Sequence, residues 1–331
     1  MSRIFDALQR SEAEQTGQRS SSGGNATELL QHAERRASSQ WGTVAEPEYN
    51  GVANGDQPVA NGGSSGAQNG VHSAAPAAVQ DPQLREFPEL FTQCQTLQVP
   101  ALSQEKLITV WDKDSPAAEA FRLLAVRMRH IRRDRGVRKL LITSTIPQEG
   151  KSLVSVNLTC TLSLRAQQRV VLLEGDLRRP SLTQLFELAG RPGMCEWLRG
   201  ERDLSGCMYQ FPNPRFWLLP AGSSAGNYLE LLQSGRISKL IEEVSQYFDW
   251  VVVDSPPVLP LADTSIWSRL TDGILLVTRQ GRTEKRQLQT GLDMIEREKL
   301  IGAVLNSSSS PAHGDYYYTQ HKTDTSELTT R

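Results

Sequence analysis

Long apolar runs are missing from these 331 residues. No stretch approaches the roughly 20 residues that cross a bilayer, and no N-terminal apolar segment resembles a signal peptide. Membrane association is therefore expected only through a partner or a surface patch. Cysteine is scarce: Cys94, Cys160, Cys195 and Cys207 form no CxxC pair and no Cys/His ligand spacing. That argues against a thiolate metal site and a disulfide framework, and suits reduced thiols in a cytosolic protein. Excess charge of one sign is also lacking, because the formal net charge is −1. Such a balance gives no global attraction to nucleic acid, and no nucleic-acid partner is expected.

One further absence is local. The strict phosphate-loop pattern wants glycine five residues before its second glycine, and here that position is Thr145. The remainder of the layout is present. Lys139-Leu140-Leu141-Ile142 reads as a buried strand, Thr143-Ser144-Thr145-Ile146-Pro147-Gln148-Glu149-Gly150-Lys151-Ser152 as a tight loop, and Leu153 onward as a helix. A strand, such a loop and a helix cradle phosphates with loop N–H groups and the helix N-terminus. Lys151 would supply positive charge and the Ser152 hydroxyl a ligand for Mg²⁺.

Two acidic strand ends strengthen the reading. Val170 to Leu173 is an apolar run closed by Glu174-Gly175-Asp176 and followed by Leu177-Arg178-Arg179-Pro180. Trp250 to Val253 is another, closed by Asp254-Ser255-Pro256-Pro257. In a parallel α/β sheet the carboxyl ends of strands share one edge, so Glu174, Asp176 and Asp254 would meet the phosphate loop there. Carboxylates beside a polyphosphate make sense with Mg²⁺ between them, since like charges otherwise repel. Further apolar runs, Phe216 to Leu219, Gly273 to Thr278 and Leu300 to Asn306, alternate with helical patterns and predict a doubly wound, mostly parallel sheet.

Around this domain the chain is polar. Residues 1–15 have the pattern of a short amphipathic helix, with Ile4, Phe5 and Leu8 on one side. Residues 16–105 read as a disordered linker: to about Gln80 a Gly/Ser/Asn/Ala/Gln-rich stretch buries too little to offset its ordering entropy, and from there to Glu105 scattered apolar residues with Pro82, Pro88 and Pro100 read as a loosely attached approach. The folded domain is expected over 106–308. Its first long helix is signalled by Ser115 as cap with Pro116 at the first helical position. That helix runs into a basic stretch, Arg127 to Lys139, which reads as a solvated face, with contact to acidic lipid headgroups or a partner's acidic tail as the alternative. Residues 309–331 read as a disordered tail, and in it stand Tyr316, Tyr317 and Tyr318, three of the chain's seven tyrosines.

Taken together, Ser144-x-x-Pro147-x-Glu149-Gly150-Lys151-Ser152, Glu174-Gly175-Asp176-Leu177-Arg178-Arg179-Pro180, and Asp254-Ser255-Pro256-Pro257 with Asp263 resemble the bacterial tyrosine kinases of exopolysaccharide and capsule synthesis. In that family these are the Walker A, A′ and B motifs, and Ser or Thr commonly replaces the missing glycine. Pro220-Ala221-Gly222 with Asn227, Glu230, Leu231 and Leu232, and the C-terminal tyrosine cluster, also fit. The resemblance spans about residues 106–308 plus the tail, and implies a P-loop NTPase fold of the deviant-Walker, MinD/ParA-like kind.

What it implies further is an ATP- and Mg²⁺-dependent protein-tyrosine autokinase that phosphorylates Tyr316, Tyr317 and Tyr318 in trans and regulates polymer synthesis and export. ATP would be held by Ser144, Thr145, Pro147, Gln148, Glu149, Gly150, Lys151, Ser152 and Asn306. Mg²⁺ would be held by Ser152, Asp176 and Asp254. The implied catalytic set is Lys151, Glu174, Asp176 and Asp254, with Glu174 as the base, one methylene longer than the family's usual Asp. The implied partner is a membrane-spanning polysaccharide co-polymerase adaptor (Wzz/CapA-like) on another chain. The protein would then sit in the cytoplasm, peripherally at the inner face of the plasma membrane. A homo-oligomeric ring is implied too, with Glu119 and Arg122 at its contact, although Ala125 stands where the contact motif has a second Arg. Two other readings compete. A MinD/ParA-type ATPase would carry a signature Lys where Ile146 stands, together with a C-terminal membrane helix. A non-catalytic nucleotide-binding scaffold would bind ATP without phosphorylating tyrosine.

Overall fold

Strand by strand, the apolar runs assemble into one sheet. The computed structural model describes residues 88–164, 168–223, 228–259 and 263–307. The expected N-terminal helix, most of the expected linker, Asn227 and the tyrosine tail lie outside them. The strands are β1 (Gln95–Thr96), β2 (Lys139–Ser144), β3 (Val170–Glu174), β4 (Tyr209–Pro212), β5 (Arg215–Leu219), β6 (Trp250–Asp254), β7 (Gly273–Arg279) and β8 (Leu300–Asn306). Their order is β1-β4-β5-β3-β6-β2-β7-β8, with only the β4–β5 pair antiparallel. β6 lies between β2 and β3, so Asp254 pairs in register with both Ile142 and Glu174.

Alternation along each strand divides the core between two faces. Leu141, Val171, Leu173, Val251, Val253, Ile274 and Leu276 point into one cluster, while Leu140, Ile142, Val170, Leu172, Val252, Leu275 and Val277 point into the other. The second face is covered by α1 (Pro116–Arg135), α2 (Lys151–Ser163) and α3 (Ser181–Leu185). The first is covered by α4 (Met194–Arg199), α5 (Tyr228–Gln233), α6 (Arg236–Ser245), α7 (Asp263–Leu270) and α8 (Lys285–Asp293). Burial on both faces explains why the strands read as unbroken apolar runs.

The first long helix begins as its sequence predicts. Ala118 N donates to the Ser115 hydroxyl at 3.2 Å, Pro116 fills the first turn, and Gly136 closes the helix at φ 70°. The basic stretch that follows is not simply a solvated face. Arg132 is buried and pairs with Asp249 at 3.1 Å, and Arg138 donates to the Ser245 and Phe248 carbonyls at 2.9 and 2.7 Å.

Order begins earlier than residue 106. Phe91, on a short helix Glu89–Thr92, is fully buried and receives Trp217 Nε1–H at its carbonyl, 3.3 Å away. β1 adds to the sheet edge, and Asn157 of α2 binds the backbone at Lys106 and Thr109. The linker reading therefore fails over 88–105, where one aromatic anchor and edge pairing supply contacts that local composition does not reveal. Among the described residues no helix is long and apolar enough to cross a membrane.

Candidate functional site

The turn between β2 and α2 carries the site. Gly150 caps α2 at φ 92°, a conformation that L side chains rarely adopt, and an added Cβ there would fall 2.0 Å from Asn306 Nδ2. Lys151, the first helical residue, is buried. Its Nζ lies 3.1 Å from Asp176 Oδ2 and 3.7 Å from Asp254 Oδ2. The Ser152 hydroxyl accepts from Lys151 Nζ at 3.3 Å and shares a 2.7 Å hydrogen bond with the Ser181 hydroxyl. Lys151, Ser152, Asp176 and Asp254 are thus gathered at one sheet edge.

Electrostatically this edge is short of positive charge. Burial lowers the pKa of Lys151, but Asp254, Asp176 and Glu174 together outweigh it and raise the net value, so the ammonium is retained. Asp254 is wholly buried, and desolvation raises its pKa against the pull of Lys151. Ser155 donates to Asp254 Oδ1 at 3.2 Å, while the buried Oδ2 has no hydrogen-bond partner. A desolvated carboxylate oxygen that accepts no hydrogen bond and has only the Lys151 ammonium 3.7 Å away fits a hard cation. No group of three His, Cys, Asp or Glu side chains clusters for a metal among the described residues. Mg²⁺ does not need one, because it is commonly held by one or two carboxylates with water and phosphate completing the shell. Ser152, Asp176 and Asp254 fit that donor set.

Glu174 belongs to the same strand ends but faces elsewhere. Its carboxyl group is fully buried, and five donor contacts fill both oxygens. Oε1 accepts from Leu182 N at 2.5 Å and Thr183 N at 3.1 Å. Oε2 accepts from Thr183 N at 3.0 Å, from the Thr183 hydroxyl, and from Ala221 N at 2.9 Å. Burial outweighs these donors and pushes Glu174 up to about 7. The base expected from the resemblance is therefore occupied in tying β3 to the start of α3 and to the loop after β5. Its extra methylene gives it that reach.

Several expected nucleotide ligands turn their side chains into the protein. Glu149 is buried and accepts from Ile146 N at 2.7 Å and from the Thr283 hydroxyl, and its pKa is raised by that burial. Ser144 donates to the Ile146 carbonyl at 2.8 Å, and Thr145 packs against Gly291 of α8. Asn306, ending β8, donates to the Glu149 carbonyl at 2.9 Å. These side chains brace the loop from within, with Glu149 taking the Ile146 N–H and Asn306 the Glu149 carbonyl. Gln148 sits at φ 69° and receives Arg282 Nη2–H on its side-chain oxygen at 2.7 Å.

Sequence reasoning missed Ser155, Ser181 and Thr283. Ser155 stands four residues after Lys151 on one helix face, a signal legible in principle. The other two come from distant turns and carry no local signal. Asp263, at the start of α7, holds Arg178 of the β3–α3 turn by a paired hydrogen bond of 2.7 and 3.2 Å. On α1, Glu119 and Arg122 bond each other at 2.7 Å, while Ala125 is buried and Arg127 exposed. The residue replacing the expected second Arg thus faces the core.

No protein-family model matches the chain. Individual relatives do. The tyrosine-protein kinase CpsD of Streptococcus agalactiae is 31% identical over 182 residues, covering 54% of this chain and 79% of that protein. The succinoglycan biosynthesis transport protein ExoP of Rhizobium meliloti is 33% identical over 184 residues, 54% of this chain but only 23% of its own length. The tyrosine-protein kinase ptk of Acinetobacter johnsonii is likewise spanned over 28% of its length. Among solved structures, the chimerical protein CapA2B2 superimposes with a TM-score of 0.59 at 25% identity, covering 65% of this chain and 94% of that one. The chain belongs to the family of bacterial tyrosine-protein kinases that includes CpsD.

Proposed function

We propose that this chain is an ATP-dependent protein-tyrosine kinase that phosphorylates Tyr316, Tyr317 and Tyr318 of a neighbouring copy, and thereby tunes exopolysaccharide or capsule assembly. The observation that carries the reading is the gathering of Lys151, Asp176 and Asp254, one buried oxygen of which accepts no hydrogen bond, at the phosphate loop. Lys151 and the loop N–H groups hold the β- and γ-phosphates of ATP. Mg²⁺, held by Ser152, Asp176 and Asp254, supplies charge neutralisation when bound. In the transfer the bond between the γ-phosphorus and the β-bridging oxygen breaks, and one to the tyrosine Oη forms. ADP leaves with the electron pair, and the phenol proton passes to a carboxylate at the site. Asp176 is the candidate for that proton, since Glu174 has both oxygens filled. Positioning and electrostatics supply most of such catalysis, so a buried lysine flanked by acids is the necessary part.

A membrane-spanning polysaccharide co-polymerase adaptor is the partner this reading requires, and it would hold the chain at the membrane. The succinoglycan biosynthesis transport protein ExoP and the chimerical protein CapA2B2, both similar to this chain, support that assignment. A second reading, ATP binding without tyrosine transfer, is favoured by the enclosed Glu174. Mass spectrometry of the tail peptide after incubation with ATP, Mg²⁺ and an adaptor tail separates the two. Phosphate on Tyr316, Tyr317 or Tyr318, lost in Lys151→Met, supports the kinase. An unmodified tail on ATP-bound protein favours the scaffold.

A further inference from the structure

A turn rich in arginine stands beside the phosphate loop, and the chemistry above assigns it no ligand. β7 ends at Arg279, and the chain turns into α8 with Arg282 N and Thr283 N both donating to the Arg279 carbonyl at 3.2 Å. Arg279, Arg282 and Arg286 are exposed, and none pairs with a carboxylate among the described residues. Two of them reach the phosphate loop: Arg282 Nη2 donates to Gln148 Oε1 at 2.7 Å and Arg279 Nη1 to the Gln148 carbonyl at 3.4 Å. They brace a residue held at positive φ.

The tail leaves the sheet at this same point. Asn306 is in register with Arg279, and Gln280 N donates to the Asn306 carbonyl at 3.1 Å. Tyr316 follows Asn306 by ten residues, a reach of up to roughly 35 Å. Beyond residue 307 the tail carries Asp315, Asp324 and Glu327 against Lys322 and Arg331, a net charge of −1 before modification. Each phosphotyrosine adds about −1.5 to −2. Arginine forks match phosphate in charge and geometry, and a tether this short sets an effective concentration on the order of mM.

We propose that Arg279, Arg282 and Arg286 form a docking site for the phosphorylated tail of the same chain, and that its occupation draws Arg279 and Arg282 off Gln148 and loosens the phosphate loop. The product of the reaction then restrains further ATP binding by the subunit that carries it. This rests on the reading that Tyr316, Tyr317 and Tyr318 are the acceptors.

The test uses a synthetic peptide of residues 308–331 phosphorylated at all three tyrosines, titrated into full-length protein bearing Tyr316→Phe, Tyr317→Phe and Tyr318→Phe. Fluorescence anisotropy should show the phosphopeptide binding at least about tenfold more tightly than its unmodified counterpart. That preference should weaken with added salt. Arg286→Gln, at a side chain that makes no hydrogen bond to the phosphate loop among the described residues, should weaken binding severalfold, and Arg282→Gln with Arg286→Gln by about tenfold. Saturating phosphopeptide should reduce MgATP affinity in the protein with its arginines intact and not in the double variant. Equal affinity for both peptides, or unchanged binding in the double variant, would overturn the docking site. Unchanged MgATP affinity would overturn the restraint. The peptide is phosphorylated by synthesis, so its binding is read whether or not the chain proves to be a kinase. Failure of the kinase reading shows separately, as an unmodified tail after ATP incubation.

Discussion

Lys151 Nζ lies 3.1 Å from Asp176 Oδ2, with both side chains almost wholly buried. Removing one partner of such a pair leaves an uncompensated charge, at a cost of about 3–5 kcal/mol. Lys151→Met is therefore expected to abolish tail phosphorylation and also to lower folding stability in metal-free buffer. Denaturant unfolding measures the second effect. A variant that loses activity at unchanged stability would show the pair to be unimportant for the fold.

Glu174→Asp separates two roles for one carboxyl group. A proton acceptor would be improved by the family's usual residue. An anchor would be harmed, because the shorter side chain no longer spans from β3 to Leu182, Thr183 and Ala221. Losing buried acceptors for these N–H groups costs about 1–3 kcal/mol. The expected outcome is a less stable protein with tail phosphorylation no faster than before. A faster Glu174→Asp enzyme of normal stability would return the proton-accepting role to this position.

That difference marks what the sequence can and cannot carry. The strand ends at Glu174, Asp176 and Asp254 were legible because apolar runs closed by acids locate a sheet edge without any knowledge of side-chain direction. Whether Glu174 faces the phosphate loop or the N–H groups of α3 depends on a rotamer and on a loop 47 residues away, at Ala221. Asn306 shows the same limit. It is legible as the end of an apolar strand, but its bond to the Glu149 carbonyl is a tertiary detail. Phe91 and β1 were missed for a third reason: a lone aromatic and a two-residue strand have no periodicity to detect.

Glu174 also predicts a pH dependence. Its pKa rises from 4.5 to about 7 on folding, so the folded protein binds this proton more tightly than the unfolded chain. The stabilisation is complete below about pH 4.5 and is lost as pH rises through 7, on the order of 3 kcal/mol in all. Glu174→Gln cannot titrate. Between pH 5 and 8 the native chain should therefore lose stability relative to the variant, as measured by paired unfolding curves. A difference that stays flat over that window would place the ionisation elsewhere.

Gly150 and Asn306 offer the sharpest probe of the loop itself. A Cβ at Gly150 meets two obstacles, a backbone at φ 92° and the Asn306 amide 2.0 Å away. The first costs roughly 1–2 kcal/mol whatever surrounds it, while the second depends on Asn306 being present. Asn306→Ala alone removes one hydrogen bond to the Glu149 carbonyl and should weaken ATP binding only modestly, by about 1 kcal/mol. Gly150→Ala alone should abolish detectable binding. In the double variant the steric wall is gone, so the two effects cannot add: Asn306→Ala should partly restore ATP affinity to Gly150→Ala. Calorimetric titration of the four proteins closes the cycle. Strict additivity would mean that the Asn306 side chain does not bear on the loop as the geometry requires.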